Sequence, residues 1–158
     1  MTTRGGLYDE GVVFELPKNS TTITTLATFS GATGMYPGGV IIDGQGNLYG
    51  ATGYGGGPNG TGGGTIWKLA KGSGTITVLA SFPSNANIVN TLGMAADAQG
   101  DLYGTTMGGG ATGQGTGWGL VKGSNSITTL ASFGGTNGAS PYGNVLLDAQ
   151  GDLYGTEL

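Results

Sequence analysis

Histidine and cysteine are both absent from the 158 residues. Their absence removes imidazole acid–base catalysis, Ser-His-Asp and Cys-His triads, the usual zinc ligand sets and any disulfide. Charge is scarce too, at 9% of residues with a formal net charge of -4. The five basic residues, Arg4, Lys18, Lys68, Lys71 and Lys122, are scattered along the chain. They leave no electrostatic footprint for DNA or RNA, so nucleic acid is not an expected partner. No run approaches the about 20 apolar residues of a membrane-spanning helix. Met1-Thr-Thr-Arg4 is followed by no apolar segment of a signal peptide. The expectation is a soluble chain with no membrane partner and no export signal, its localisation unassigned.

The abundant residue is glycine, at 37 of 158. A Gly-X-Y triplet period is missing, which excludes collagen. The glycines cluster between β-branched and aromatic runs, as in Gly53 to Gly64 before Thr65-Ile-Trp-Lys-Leu69. That arrangement is turn punctuation between strands. No segment carries a 3.6-residue apolar period, and each interior glycine would cost a helix up to about 1 kcal/mol. An all-β chain with essentially no helix is expected.

The chain repeats itself. Ile23-Thr-Thr-Leu-Ala-Thr-Phe29, Ile76-Thr-Val-Leu-Ala-Ser-Phe82 and Ile127-Thr-Thr-Leu-Ala-Ser-Phe133 lie 53 and then 51 residues apart. A second series, Gly46-Asn-Leu-Tyr-Gly50, Gly100-Asp-Leu-Tyr-Gly104 and Gly151-Asp-Leu-Tyr-Gly155, keeps step with it. One unit reads as four strands: A at about 94–97, B at 102–106, C at 116–121 and D at 127–133. Asp97-Ala-Gln-Gly-Asp101 forms the tight turn between A and B, where Asp bonds downstream amides and Gly100 takes positive φ. Spacing from the strand C aromatic to the strand D isoleucine is constant at 9 (Phe14 to Ile23, Trp67 to Ile76, Trp118 to Ile127). The B-to-C distance varies, from 18 residues (Tyr49 to Trp67) to 15 (Tyr103 to Trp118). Insertions therefore gather in one connection, and the B-to-C and D-to-A connections should share a face.

Four antiparallel strands repeated every 51 or so residues are the plan of a β-propeller blade. A β-solenoid is the alternative, although its coils usually repeat at half this period or less. The chain reads as a single repeat domain, 1–158, with units at 39–92 and 93–142 and a split unit made of 143–158 plus 1–38. The split unit holds C and D at the N-terminal side (12–16 and 23–29) and A and B at the C-terminal side (144–147 and 153–158). Three blades are too few for a ring, which takes about four to eight. Tyr154 lies 4 residues from Leu158, and adding the 14 residues to Phe14 reproduces the 18-residue spacing from Tyr49 to Trp67. Strand B of one copy can then meet strand C of the next, a head-to-tail contact that closes a ring. Two copies would give six blades and three copies nine. Thr2-Thr-Arg-Gly-Gly6 also resembles Thr105-Thr-Met-Gly-Gly109, so the end of strand B is encoded at both termini.

The Pro-Tyr-Gly, Asp-x-x-Gly-[Asn/Asp]-Leu-Tyr-Gly-Thr-Thr and Gly-Gly-x-x-x-x-Gly-Thr series resembles that of bacterial GloVer-type tandem-repeat proteins. Asp148-Ala-Gln-Gly-Asp-Leu-Tyr-Gly155 repeats Asp97 to Gly104 letter for letter, and the resemblance covers the whole chain. It implies a secreted or surface-anchored propeller without an established activity.

Candidate sites compete with structural readings of the same residues. Asp43, Asp97 and Asp148, with Asp101 and Asp152, offer at most two carboxylates per turn, whereas calcium takes 6–8 oxygens. Turn capping is the favoured role. The acids outside those turns, Asp9, Glu10, Glu15 and Glu157, could meet as a glycosidase pair only across the joint between chains. Trp67, Trp118 and Phe14 recur at one strand position, which suits core packing better than sugar platforms. Tyr49, Tyr103 and Tyr154 follow the turn in every copy and read as structural. The speculative ligand-binding set lies in the connections: Tyr36, Asn90 and Tyr142 between D and A, and Tyr54, Asn59 and Gln114 between B and C. Exposed tyrosines and amides there would grip a glycan. No phosphate loop is present, because no Gly-Lys-Ser/Thr follows Gly53 to Gly64. The expected function is a non-enzymatic, self-assembling structural or binding scaffold without cofactor or metal. A lectin-like binder or an engineered or excised fragment are the alternatives.

Overall fold

The computed structural model describes residues 5–84 and 93–157. These residues form twelve strands and one 3-10 turn at Pro58–Gly60. β1 (Val12–Glu15) pairs with β2 (Thr24–Thr28). β3 (Met35–Ile42), β4 (Leu48–Tyr54), β5 (Thr65–Leu69) and β6 (Ile76–Ser81) form a four-stranded meander. β7 (Met94–Ala96), β8 (Leu102–Thr106), β9 (Thr116–Leu120) and β10 (Thr128–Ser132) form a second. β11 (Leu146–Leu147) pairs with β12 (Leu153–Tyr154). Every ladder between these strands is antiparallel.

All twelve expected strands are present, with shifted ends. β3 starts at Met35, four residues before the unit boundary expected at 39. β12 stops at Tyr154, short of the expected 153–158 span, and among the described residues it has β11 on one side and no strand on the other. Among the described residues the four sheets close into neither a ring nor a barrel. The first strands of successive sheets nonetheless approach one another, β3 beside β7 and β7 beside β11. No described helix is long and apolar enough to cross a membrane.

Each hairpin from third to fourth strand carries a bulge at the same leucine. Val13 faces Ala27 and Phe14 faces Thr25, skipping Leu26. Ile66 faces Ala80 and Trp67 faces Val78, skipping Leu79. Gly117 faces Ala131 and Trp118 faces Thr129, skipping Leu130. The constant nine-residue spacing thus encodes a hairpin with its bulge, which bends the strand and adds twist.

The core lies between successive sheets. Val13, Ala27 and Phe29 of the first sheet and its trailing loop bury against Trp67, Leu69 and Ile76 of the second. Ala51, Ile66, Ala80 and Phe82 likewise bury against Met94, Leu102, Trp118 and Leu120. Phe29 meets Trp67 edge to face at 5.3 Å, and Phe82 meets Trp118 in the same way at 5.6 Å. Each indole also crosses a glycine on the second strand of its own sheet. A Cβ at Gly50 or Gly104 would stand 2.4 Å from the Cζ2 of Trp67 or Trp118, far inside contact distance. Only glycine admits the ring there.

Candidate functional site

The repeated aspartates are occupied by their own turns. Asp43 Oδ1 accepts the amides of Gln45 and Asn47, both at 2.9 Å, and Oδ2 accepts Asn47 Nδ2 at 2.8 Å and the Tyr49 hydroxyl at 3.1 Å. Asp97 accepts the amides of Gln99 and Asp101 and the Tyr103 hydroxyl. Asp148 accepts those of Gln150 and Asp152 and the Tyr154 hydroxyl. Gly46, Gly100 and Gly151 supply φ of 84°, 88° and 90°. Each turn is thus clasped by the tyrosine six residues on, the role expected of Tyr49, Tyr103 and Tyr154.

These bonds favour the ionised carboxylate. The Asn47 side chain, with help from the turn amides and Tyr49, holds Asp43 down from 3.8 to about 2 against the opposing effect of burial. The Asp152 amide leads the set that holds Asp148 below its ordinary value. Desolvation, then the neighbouring Asp97, pushes the Tyr103 phenol up.

Trp67 and Trp118 are each 1% exposed and therefore belong to the core. Their indole N–H groups are shielded and have no hydrogen-bond acceptor. Phe14, at the equivalent position, is 58% exposed. Of the four isolated acids, Glu157 accepts the Ala139 amide, and Glu10 Oε2 is shielded without a hydrogen-bond partner.

The connections do share a face. The Gly56 amide donates to Gly31 O at 2.9 Å, the Ser140 amide donates to Gln114 O at 2.7 Å, and the Thr112 hydroxyl donates to Phe133 O. Tyr36 and Tyr54 are strand residues, however, at the ends of β3 and β4. Met35 pairs with Tyr54, and the ladder extends past the expected connections because a bulge between Pro37 and Val40 keeps the strands together. The two phenol rings come together edge to face at 5.6 Å, both substantially exposed, and Tyr36 holds a φ of 57°. Asn59 occupies the 3-10 turn at a φ of 58°, next to a loop in which Gly60 abuts Gly31. Gln114 and the exposed Tyr142 sit on the third and fourth sheets' loops, tied through Ser140. Asn90 lies outside the described residues.

One feature of this face escapes the site residues expected from sequence. A cleft of about 450 Å³ opens between β10 and β12, lined by Leu130, Phe133, Pro141, Val145, Leu153 and Gly155. The repeat itself is the signal for it, since Phe133 and Gly155 are the counterparts of Phe82 and Gly104, which hold Trp118 between them.

A family model described as the Gloeobacter/Verrucomicrobia repeat matches residues 1–157. Among curated proteins, none matches the chain.

Proposed function

The chain belongs to the Gloeobacter/Verrucomicrobia repeat family, and from that premise we propose that it is a non-enzymatic β-propeller scaffold completed by self-association. The observation that carries this reading is the division of one sheet between the two ends. β1 and β2 correspond to third and fourth strands, and β11 and β12 to first and second strands. Among the described residues each half ends in a strand with no neighbour on one side, an edge that favours pairing with another chain. The approach of β3 to β7 and of β7 to β11 supports an arc about a common axis, with the first strands innermost. Two copies joined head to tail give six four-stranded blades, within the usual range. Three copies would give nine.

Native mass spectrometry tests this. The expected species has twice the 15.5 kDa mass of one chain. A folded monomer at every concentration would overturn the reading.

A second reading, a lectin-like binder, draws on the exposed Tyr36–Tyr54 pair. Aromatic faces at the rim of a rigid sheet suit the apolar face of a sugar ring. A glycan array with Tyr54→Ala as control tests it, and loss of a specific signal in the variant is the expected outcome.

A further inference from the structure

The self-association reading leaves open how the joint is made. Resting on that reading, we propose that Phe14 of one copy seats against Gly155 of the next. β1 then lies along β12 in a fixed register: Leu16 opposite Leu153, Glu15 opposite Tyr154, and Phe14 opposite Gly155. The template is internal. Leu48, Tyr49 and Gly50 face Leu69, Lys68 and Trp67, and Leu102, Tyr103 and Gly104 face Leu120, Gly119 and Trp118.

Three contacts made at each of the two complete sheets have no counterpart at the fourth among the described residues. The first is the ring over glycine. A Cβ at Gly155 meets only Val145 Cγ1 at 3.4 Å and Asn144 O at 3.8 Å, with no aromatic near it. The second is the edge-to-face pair: Phe29 and Phe82 each hold an indole, while Phe133 borders the open cleft. The third is the turn-to-turn clasp. Asn47 Oδ1 accepts the Lys71 amide at 3.1 Å, and Asp101 Oδ1 accepts the Lys122 amide at 2.7 Å. Gly46 and Gly100 lie 3.0 and 3.2 Å from those lysine side chains, measured from an added Cβ, whereas Gly151 has nothing within 4 Å.

The N-terminal hairpin carries the complements. Phe14 stands four residues before Lys18, as Trp67 stands before Lys71 and Trp118 before Lys122. Phe14 and Leu16 are exposed, Phe14 supplies an aromatic ring at the position of Trp67 and Trp118, and Lys18 would bring positive charge to Asp152. The proposed occupant is a second copy of this chain, whose N-terminal hairpin carries these complements, and a two-copy ring contains the joint twice.

The joint departs from the template at one end. The paired hydroxyls of Thr52 with Thr65 and of Thr106 with Thr116 correspond to Glu157 and Val12. Glu157 is tied to the Ala139 amide of its own chain. Register is accordingly set by Phe14 and the Lys18 turn, and not by a threonine pair.

Register is tested by cross-linking, since the chain has no native cysteine. Glu15→Cys with Tyr154→Cys places the thiols on directly opposed residues, within disulfide reach. Glu15→Cys with Leu153→Cys shifts the pair by one residue and puts the side chains on opposite faces. The expected result is an intermolecular disulfide in the first variant and little in the second. Phe14→Ala should weaken association at least tenfold without changing the circular dichroism of the dilute chain. Association that persists with no link in the first variant, or an equal link in both, overturns this register while leaving self-association standing. A disulfide within one chain overturns both.

Discussion

Trp118 and Phe14 occupy the same position in the repeat and opposite environments, one buried to 1% exposure and the other 58% exposed. Both follow a glycine-rich connection, both precede a turn with lysine four residues on, and both sit one register step from a bulge. The difference lies in what each strand has beside it. β9 is flanked by β8 and β10, while among the described residues β1 has β2 alone. The burial of this aromatic position follows the neighbouring strand and not the residue's own segment, and the exposed Phe14 is what the proposed joint would cover. At the other end Leu130, in the lining of the cleft, is exposed as well.

The sharpest way to break this comparison is to truncate both rings. Trp118→Ala should destabilise the fold by about 3–5 kcal/mol, the usual cost of deleting a buried aromatic. Phe14→Ala should alter the stability of the dilute chain by no more than about 0.5 kcal/mol, as for an exposed site. Chemical denaturation followed by tryptophan fluorescence checks the second variant, and circular dichroism checks both. Equal losses would mean that Phe14 is packed within its own chain.

A methyl group on the glycines gives a smaller contrast. Gly104→Ala drives a Cβ into the Trp118 ring and should cost about 1–3 kcal/mol, as overpacking does. Gly155→Ala meets no ring in the dilute chain, so its folding should be unchanged while association falls. Thermal melts and sedimentation of both variants separate the two effects.

The smallest effect concerns the turns. Asp43 is held at about 2 in the fold, chiefly by the Asn47 side chain, against an ordinary 3.8. A depressed carboxylate stabilises the fold above its unfolded value and loses that contribution as pH falls through the folded one. Stability should therefore decline between about pH 4 and pH 2, and Asn47→Ala should flatten this part of the profile. An acid titration of wild type and variant, followed by circular dichroism, checks the slope.

Strand number, strand order and the Asp-capped turns were legible in the sequence because a threefold repeat fixes them three times over, whereas the bond from each tyrosine hydroxyl to its aspartate was not. Asp97 and Gly100 sit at offsets that suit a hairpin turn, and each copy repeats them. The bulge at Leu26, Leu79 and Leu130 was not legible, since a bulge changes pairing without changing spacing when every copy has it. Tyr36 and Tyr54 were expected in loops because Pro37 and the flanking glycines signal turns. The ladder instead bulges past Pro37 and brings the two rings together. The repeat marks Gly155 as the counterpart of Gly104, but the open cleft beside it was not legible, because spacing does not say which neighbouring ring is missing.

The pairing of β12 is most directly tested by amide hydrogen exchange of residues 153–157 set against 102–106. The account predicts that at high protein concentration the two segments are protected alike, and that dilution releases 153–157 alone. Fast exchange of 153–157 at every concentration would contradict it.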